Sequence, residues 1–209
     1  MKSQFLFSAK SVFCKSLVVL SGLLFSQAAN AQKITPIVTT GFGLSDWRLS
    51  EGSSLKTGML PSLDLGLLMD ININNSLSVV SGLQYSEVGA EIKFDETDSP
   101  SYSLGYISLP AFGKVRLSNG FSVYAGPKAG FLISAKEDNF DGDKYDVKDA
   151  FKKADFSLAG GINYKFSGGF EVGVNFTHGF LNIYKNGNTR IQNYGFGVNA
   201  AYNITMPKA

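Results

Sequence analysis

From residue 33 onward the chain alternates apolar and polar residues with a period of two, and no long stretch repeats with the period of a helix. The run FEVGVNFT puts Phe170, Val172, Val174 and Phe176 on one face, with Glu171, Gly173, Asn175 and Thr177 on the other. In the last run Tyr194, Phe196, Val198, Ala200, Tyr202 and Ile204 oppose Asn193, Gly195, Gly197, Asn199, Ala201 and Asn203. Successive side chains of a strand point to opposite faces, so this pattern confines the chain to sheet. Eight runs carry it, at 33–47, 58–71, 77–88, 102–117, 121–134, 154–166, 170–180 and 190–204.

The links between runs alternate in length. Three are short: INN (73–75), SNG (118–120) and SGG (167–169). Four are long and polar, at 48–57, 89–101, 135–153 and 181–189. Read as three-residue hairpins, the short links bring Ile71 opposite Leu77, Leu117 opposite Phe121 and Phe166 opposite Phe170, so the apolar faces coincide. Such loops need a left-handed residue in third place, which Asn75, Gly120 and Gly169 would supply.

Eight antiparallel strands close either as a soluble barrel of lipocalin type, greasy inside, or as a membrane barrel, greasy outside. An eight-stranded bore is just wide enough to be filled by side chains. Here the apolar set is bulky and the other set is mostly Gly, Ser, Ala and Asn with scattered charges, so the small set fits the bore. Aromatics gather at both strand ends: Phe121, Phe166, Phe170 and Tyr202 at the short-turn end, and Trp47, Tyr85, Phe131 and Tyr194 at the other. Two aromatic girdles, an even strand number and short turns opposite long loops are the marks of an outer-membrane barrel. Hydrocarbon offers the backbone no hydrogen-bond partners, so a sheet crosses a membrane only when it closes. The expected fold is all-β, an eight-stranded antiparallel up-and-down transmembrane β-barrel over residues 32–209. Both termini would lie in the periplasm and four loops outside, in the bacterial outer membrane.

The first 31 residues read as a secretory signal peptide. Lys2, Lys10 and Lys15 precede the apolar run LVVLSGLLF, and Ala29–Asn30–Ala31 presents small residues for cleavage after Ala31. The single cysteine, Cys14, would leave with it, and the formal charge would fall from +2 to about −1. A near-neutral chain has no electrostatic case for nucleic acid. Beyond the leader no apolar stretch approaches the ~18 residues of a membrane helix.

By parity the bore should hold Asp64, Asp70, Lys114, Arg116, Lys128, Lys165 and Glu171. Enclosed charges must be paired or wet. The SGG turn sets Lys165 opposite Glu171 for an ion pair, and Asp64 should face Gln84. These residues form either a polar plug, which the narrow bore favours, or a conduction path. His178, the sole histidine, falls on the outward face near the outer rim, where the sequence gives it no catalytic partner. The acids of the third long loop (Asp138, Asp141, Asp143, Asp146 and Asp149) do not follow an EF-hand register and are balanced by Lys136, Lys144, Lys148, Lys152 and Lys153. That loop reads as a solvated tip, open to lipopolysaccharide through divalent ions. No catalytic residue, cofactor or metal is expected.

YISLPAFGKVRL (106–117), FSVYAGPKAGFLI (121–133) and FEVGVNFTHGFLNI (170–183) resemble the fourth, fifth and seventh strands of the small PorT-like outer-membrane β-barrel proteins of Bacteroidetes. The resemblance covers residues 32–209 and implies insertion by the barrel-assembly machinery. The family's eponym is linked to protein secretion, a role these motifs do not carry over. The chain departs from the pattern by running past Ile204 through TMPKA, so Tyr202 would serve as the terminal aromatic. The expected function is structural or interactive, through surface loops that meet a partner or ligand, or as an accessory part of a secretion assembly. A narrow pore for small solutes and a lipid A-modifying enzyme are the alternatives.

Overall fold

The computed structural model describes residues 34–50, 56–93, 99–139, 144–185 and 189–204. The leader, its cleavage site at Ala31, Cys14 and the TMPKA tail lie outside the described residues. Eight long strands follow in chain order: β1 (Ile34–Leu49), β2 (Lys56–Asn72), β3 (Leu77–Lys93), β4 (Ser101–Arg116), β5 (Phe121–Asp138), β7 (Ala154–Lys165), β8 (Phe170–Gly179) and β9 (Ile191–Asn203). Each pairs antiparallel with its neighbour, and β1 pairs with β9 from Ile37↔Asn203 to Leu49↔Ile191, which closes the sheet. Among the described residues no helix is long and apolar enough to cross a membrane.

The bulky set lies on the outer wall. Phe42, Leu67, Val174, Phe176, Val198 and Tyr202 are all exposed, Leu67 by 67% and Val198 by 58%. A continuous apolar surface of this extent would drive association in water and suits only lipid. An arginine in place of Val198, midway along β9, is therefore expected to lower barrel stability in phosphatidylcholine vesicles by about 2–4 kcal/mol. Urea titration of the refolded protein checks this, and a neutral result would place that face in water.

Two of the three short turns hold the expected register. Leu117 donates to Phe121 O at 2.7 Å and Phe166 to Phe170 O at 2.8 Å, with Gly120 (φ 85°) and Gly169 (φ 91°) in the left-handed region. The first turn does not. Asn72 pairs with Ser78 and Ile71 with Val79, two residues further on than the spacing suggests, and Asn75 has no positive φ. Asn74 is the cause: its Oδ1 accepts from the backbone of Ser76 (2.9 Å) and Leu77 (2.7 Å), a side-chain turn that outbids a left-handed third residue. The slip is even, so every side chain keeps its face.

Aromatic packing marks the short-turn rim. Phe121 and Tyr164 meet edge-on at 4.9 Å, Tyr164 and Phe166 at 4.9 Å, and Phe166 and Phe170 at 6.1 Å. At the opposite rim Phe131 faces out as expected, but Trp47 is 3% exposed and points into the barrel rather than joining a girdle. Tyr194 is half-buried there and its hydroxyl donates to Asp46 at 3.0 Å, whereas Tyr85 is not at this rim: β3 runs on to Lys93, which puts Tyr85 at the midpoint of the strand.

Candidate functional site: the bore and its outer cap

The bore is layered. Nearest the short turns, Lys114 donates to both Glu171 oxygens (3.1 and 2.9 Å) and lies 3.7 Å from Asp70. Arg116 holds Asp70 at 3.0 Å and also reaches Ser78. Asn203 Nδ2 donates to Glu171 at 2.8 Å and to the Gly169 carbonyl at 2.8 Å, tying this layer to the turn below it. Every charge in the layer has an opposite charge and further donors or acceptors, which is what makes burial tolerable.

Glu171 is thus held by Lys114 from across the bore and not, as the hairpin suggested, by Lys165. Lys165 does sit in register opposite Glu171, but at the last position of β7 its side chain is exposed at the rim, where water solvates it better than a crowded lumen. The Asp64 expectation changes in a similar way. Its register partner is Ser86, because of the two-residue slip in the first turn, yet Gln84 still reaches it diagonally at 3.0 Å and Ser86 donates to it too. Lys128 closes this second polar layer, with its ammonium 3.4 Å from the Ser86 hydroxyl.

Between the polar layers Ile37, Leu68, Val80, Phe112, Ala159 and Ala201 pack as an apolar belt, with Phe112 and Tyr124 rings 5.3 Å apart. Small cavities lie among the described residues of the bore. One of about 70 Å3 is bordered by Asp64, Gln84, Lys114, Tyr124, Asn163 and Glu171. Another, about 40 Å3, is bordered by Ser45, Asp64, Lys128, Asn175, Thr177 and Asn193. Both are polar enough for a few waters and too small for an organic ligand.

Towards the outer mouth the bore turns apolar, which the sequence reading missed. Trp47, Ala90, Leu104, Tyr106, Leu132, Ala135, Phe151, Ile183 and Ile191 form one buried cluster, and Leu104, Leu132 and Ile183 have no exposure. The third long loop builds much of this. It contains a short strand, β6 (Lys144–Asp146), paired with the end of β5, and then a single turn, Lys148–Ala150, that delivers Phe151 inward. Phe151 bridges to Tyr184 and packs on Trp47 (5.7 Å) and Tyr184 (5.8 Å). The loop is therefore a folded lid in these parts and not a solvated tip. Its acids Asp141 and Asp143 lie outside the described residues.

A backbone irregularity makes the lid fit. Gly105 pairs with Ser134 but Tyr106 with Leu132, so Ile133 is an extra residue in β5. This bulge switches the inward parity of β5, so that Leu132 below it and Ala135 above it both face the cluster. Lys148 donates to the Ile133 carbonyl at 2.7 Å.

His178 lies where the sequence put it, on the outer wall near the rim. Its ring stacks on Phe176 (6.5 Å) and meets Phe180 edge-on (5.3 Å). Among the described residues no group of three His, Cys, Asp or Glu side chains is placed to hold a metal ion.

A closed eight-stranded antiparallel barrel, greasy outside and filled with paired charges inside, defines an outer-membrane barrel protein. Residues 25–185 match the family model described as outer membrane protein beta-barrel domain, and the chain belongs to that family. In fold it is similar to Neisserial surface protein A, at 11% identity and a TM-score of 0.56, over 82% of this chain and 99% of that one. Similarity also extends to Ail, the attachment invasion locus protein of Yersinia pestis (15% identity, TM-score 0.42, 80% and 99% of the two chains). A third similar structure is OprG of Pseudomonas aeruginosa (15% identity, TM-score 0.37, 80% and 95%). No curated protein matches the chain in sequence. The protein resides in the bacterial outer membrane.

Proposed function

We propose that this barrel acts as a structural and interaction protein, meeting a partner through its lidded outer face, in the manner of an accessory to a larger envelope assembly such as a secretion apparatus. The observation that carries this reading is the apolar cluster under the lid. A mouth packed with Trp47, Leu104, Phe151 and Ile183 offers the exterior a folded surface in place of an opening. The motifs on β4, β5 and β8 favour the PorT-like branch of Bacteroidetes barrels as its setting. The lumen charges then act as a register-fixing plug, since each is bonded to a neighbour on another strand.

Two measurements test this. In planar bilayers the purified protein should give no steady single-channel conductance; a stable conductance would favour the narrow-pore alternative, to which the two lumen cavities lend their only support. In cells, photo-crosslinkers placed at the exposed Lys144 and Asp149 should recover one recurrent partner. Recovery of nothing reproducible from either position would contradict the interaction role.

A further inference from the structure

The outer rim over β5, β7, β8 and β9 carries a cationic ledge directly above an aromatic one. Phe131, Phe156 and Phe180 face outward and are exposed at the top of the lipid belt. They are contiguous: Phe131 pairs with Ala154, two residues before Phe156, and Phe180 donates to the Phe156 carbonyl at 2.8 Å. Lys148, Lys152, Lys153, Lys185 and Arg190 lie in the chain segments that flank these strand ends, and all but Lys148 are exposed.

Backbone contacts fix several of these cations to that sector. Lys148 reaches the bulged Ile133 carbonyl, two residues from Phe131. Lys185 Nζ donates to Asp149 O at 2.9 Å, and its amide to Ala150 O. The Arg190 guanidinium donates to the Phe180 carbonyl, and Lys152 N to Ile183 O at 2.7 Å. Each lysine keeps donors beyond the one it uses here, and the arginine keeps more. The nearby acids are fewer, and most are already engaged: Asp146, whose Oδ1 accepts the Lys148 amide, Asp149, Asp138, which pairs with Lys144 at 2.9 Å, and Glu137, which is bonded to Tyr102. Asp155 turns inward to Asn193. A surplus of positive charge at headgroup height, above rings at the hydrocarbon boundary, is complementary to an anionic lipid whose chains lie along those rings.

We infer that this ledge binds the phosphorylated headgroup of an outer-leaflet glycolipid of the lipid A class. The aromatic wall below seats one or more acyl chains, and the cations contact the phosphates. The inference is independent of whether the lid also meets a protein partner.

The test uses the full-length protein in nanodiscs of phosphatidylcholine doped with bis-phosphorylated lipid A, with bound lipid counted by native mass spectrometry. The wild type should retain lipid A against phosphatidylcholine, and should lose at least tenfold of that preference when the lipid A is enzymatically dephosphorylated. Changing Lys148, Lys152, Lys153 and Lys185 together to Gln should cause a comparable loss, with the barrel still heat-modifiable on gels. Replacing Lys56 and Lys93, which pair with each other across β2 and β3, by Gln should change nothing. Free inorganic phosphate at millimolar concentration should not displace the lipid if a lipid, and not a bare anion, is the ligand. Equal retention of phosphorylated and dephosphorylated lipid A by the wild type would overturn the inference, even were the quadruple variant to misfold. So would full retention by the quadruple variant, or an equal loss in the Lys56/Lys93 control.

Discussion

Replacing Lys114 with Met is expected to destabilise the barrel by about 3–5 kcal/mol, among the largest effects of any single substitution in this chain. Lys114 is 4% exposed and its ammonium neutralises Glu171, which sits at 2% exposure with Asn203 and Asn163 as its other partners. Removing the cation leaves a buried carboxylate with amide donors but no counter-charge, in a layer that also holds Asp70. The cost is that of an orphaned charge and not of a lost attraction, so the companion change should reverse much of it. A Lys114→Met, Glu171→Met double variant should recover most of the loss, because apolar pairs often replace buried ion pairs at little cost. Urea unfolding of the vesicle-refolded protein, followed by the fluorescence of the single tryptophan, reads both. A single variant as stable as the wild type would mean that water reaches this layer freely, and the plug reading would go with it.

Truncating Phe151 to Ala should cost the lid about 3–5 kcal/mol, the usual loss for emptying a buried aromatic site. Phe151 is 2% exposed and contacts Trp47, Tyr102 and Tyr184. The strands below close on themselves without it, so the expected result is local: the lid opens while the barrel persists. Trp47 emission should shift to the red as its indole is wetted, and trypsin should cut at Lys152 or Lys153, while heat-modifiability stays unchanged. Unshifted emission with a protease-resistant loop would show that the lid does not depend on this anchor.

The barrel was legible because its rule is local and repeated. One residue out of every two is bulky and apolar, and closure needs only the period, the strand count and the turn lengths. The lipid-facing set, the inward set apart from Lys165, and the placement of His178 came from parity alone. Three things were not legible, each for a non-local reason. The first turn slipped because Asn74 caps it with its own side chain, a competition between two turn chemistries that composition does not decide. The partner of Glu171 is Lys114, 57 residues away and across the bore, where a hairpin diagram shows only neighbours. The lid escaped notice because Phe151 sits among lysines and aspartates that read as a solvated tip. Its burial depends on the Ile133 bulge and on Ile183 arriving from another loop. A faint signal existed: Trp47, Leu104 and Leu132 share the inward parity of their strands, and large apolar residues there break the small-and-polar rule.

The inside-out arrangement itself is best tested by scanning β8 with single spin-labelled cysteines, in a background lacking Cys14, in lipid bilayers. The labels would occupy residues 170–177 one at a time. The account predicts a period-two pattern: high collision with lipid-soluble oxygen at 170, 172, 174 and 176, and low at 171, 173, 175 and 177. The opposite phase, or a flat profile with a water-soluble relaxation agent reaching every site, would contradict it.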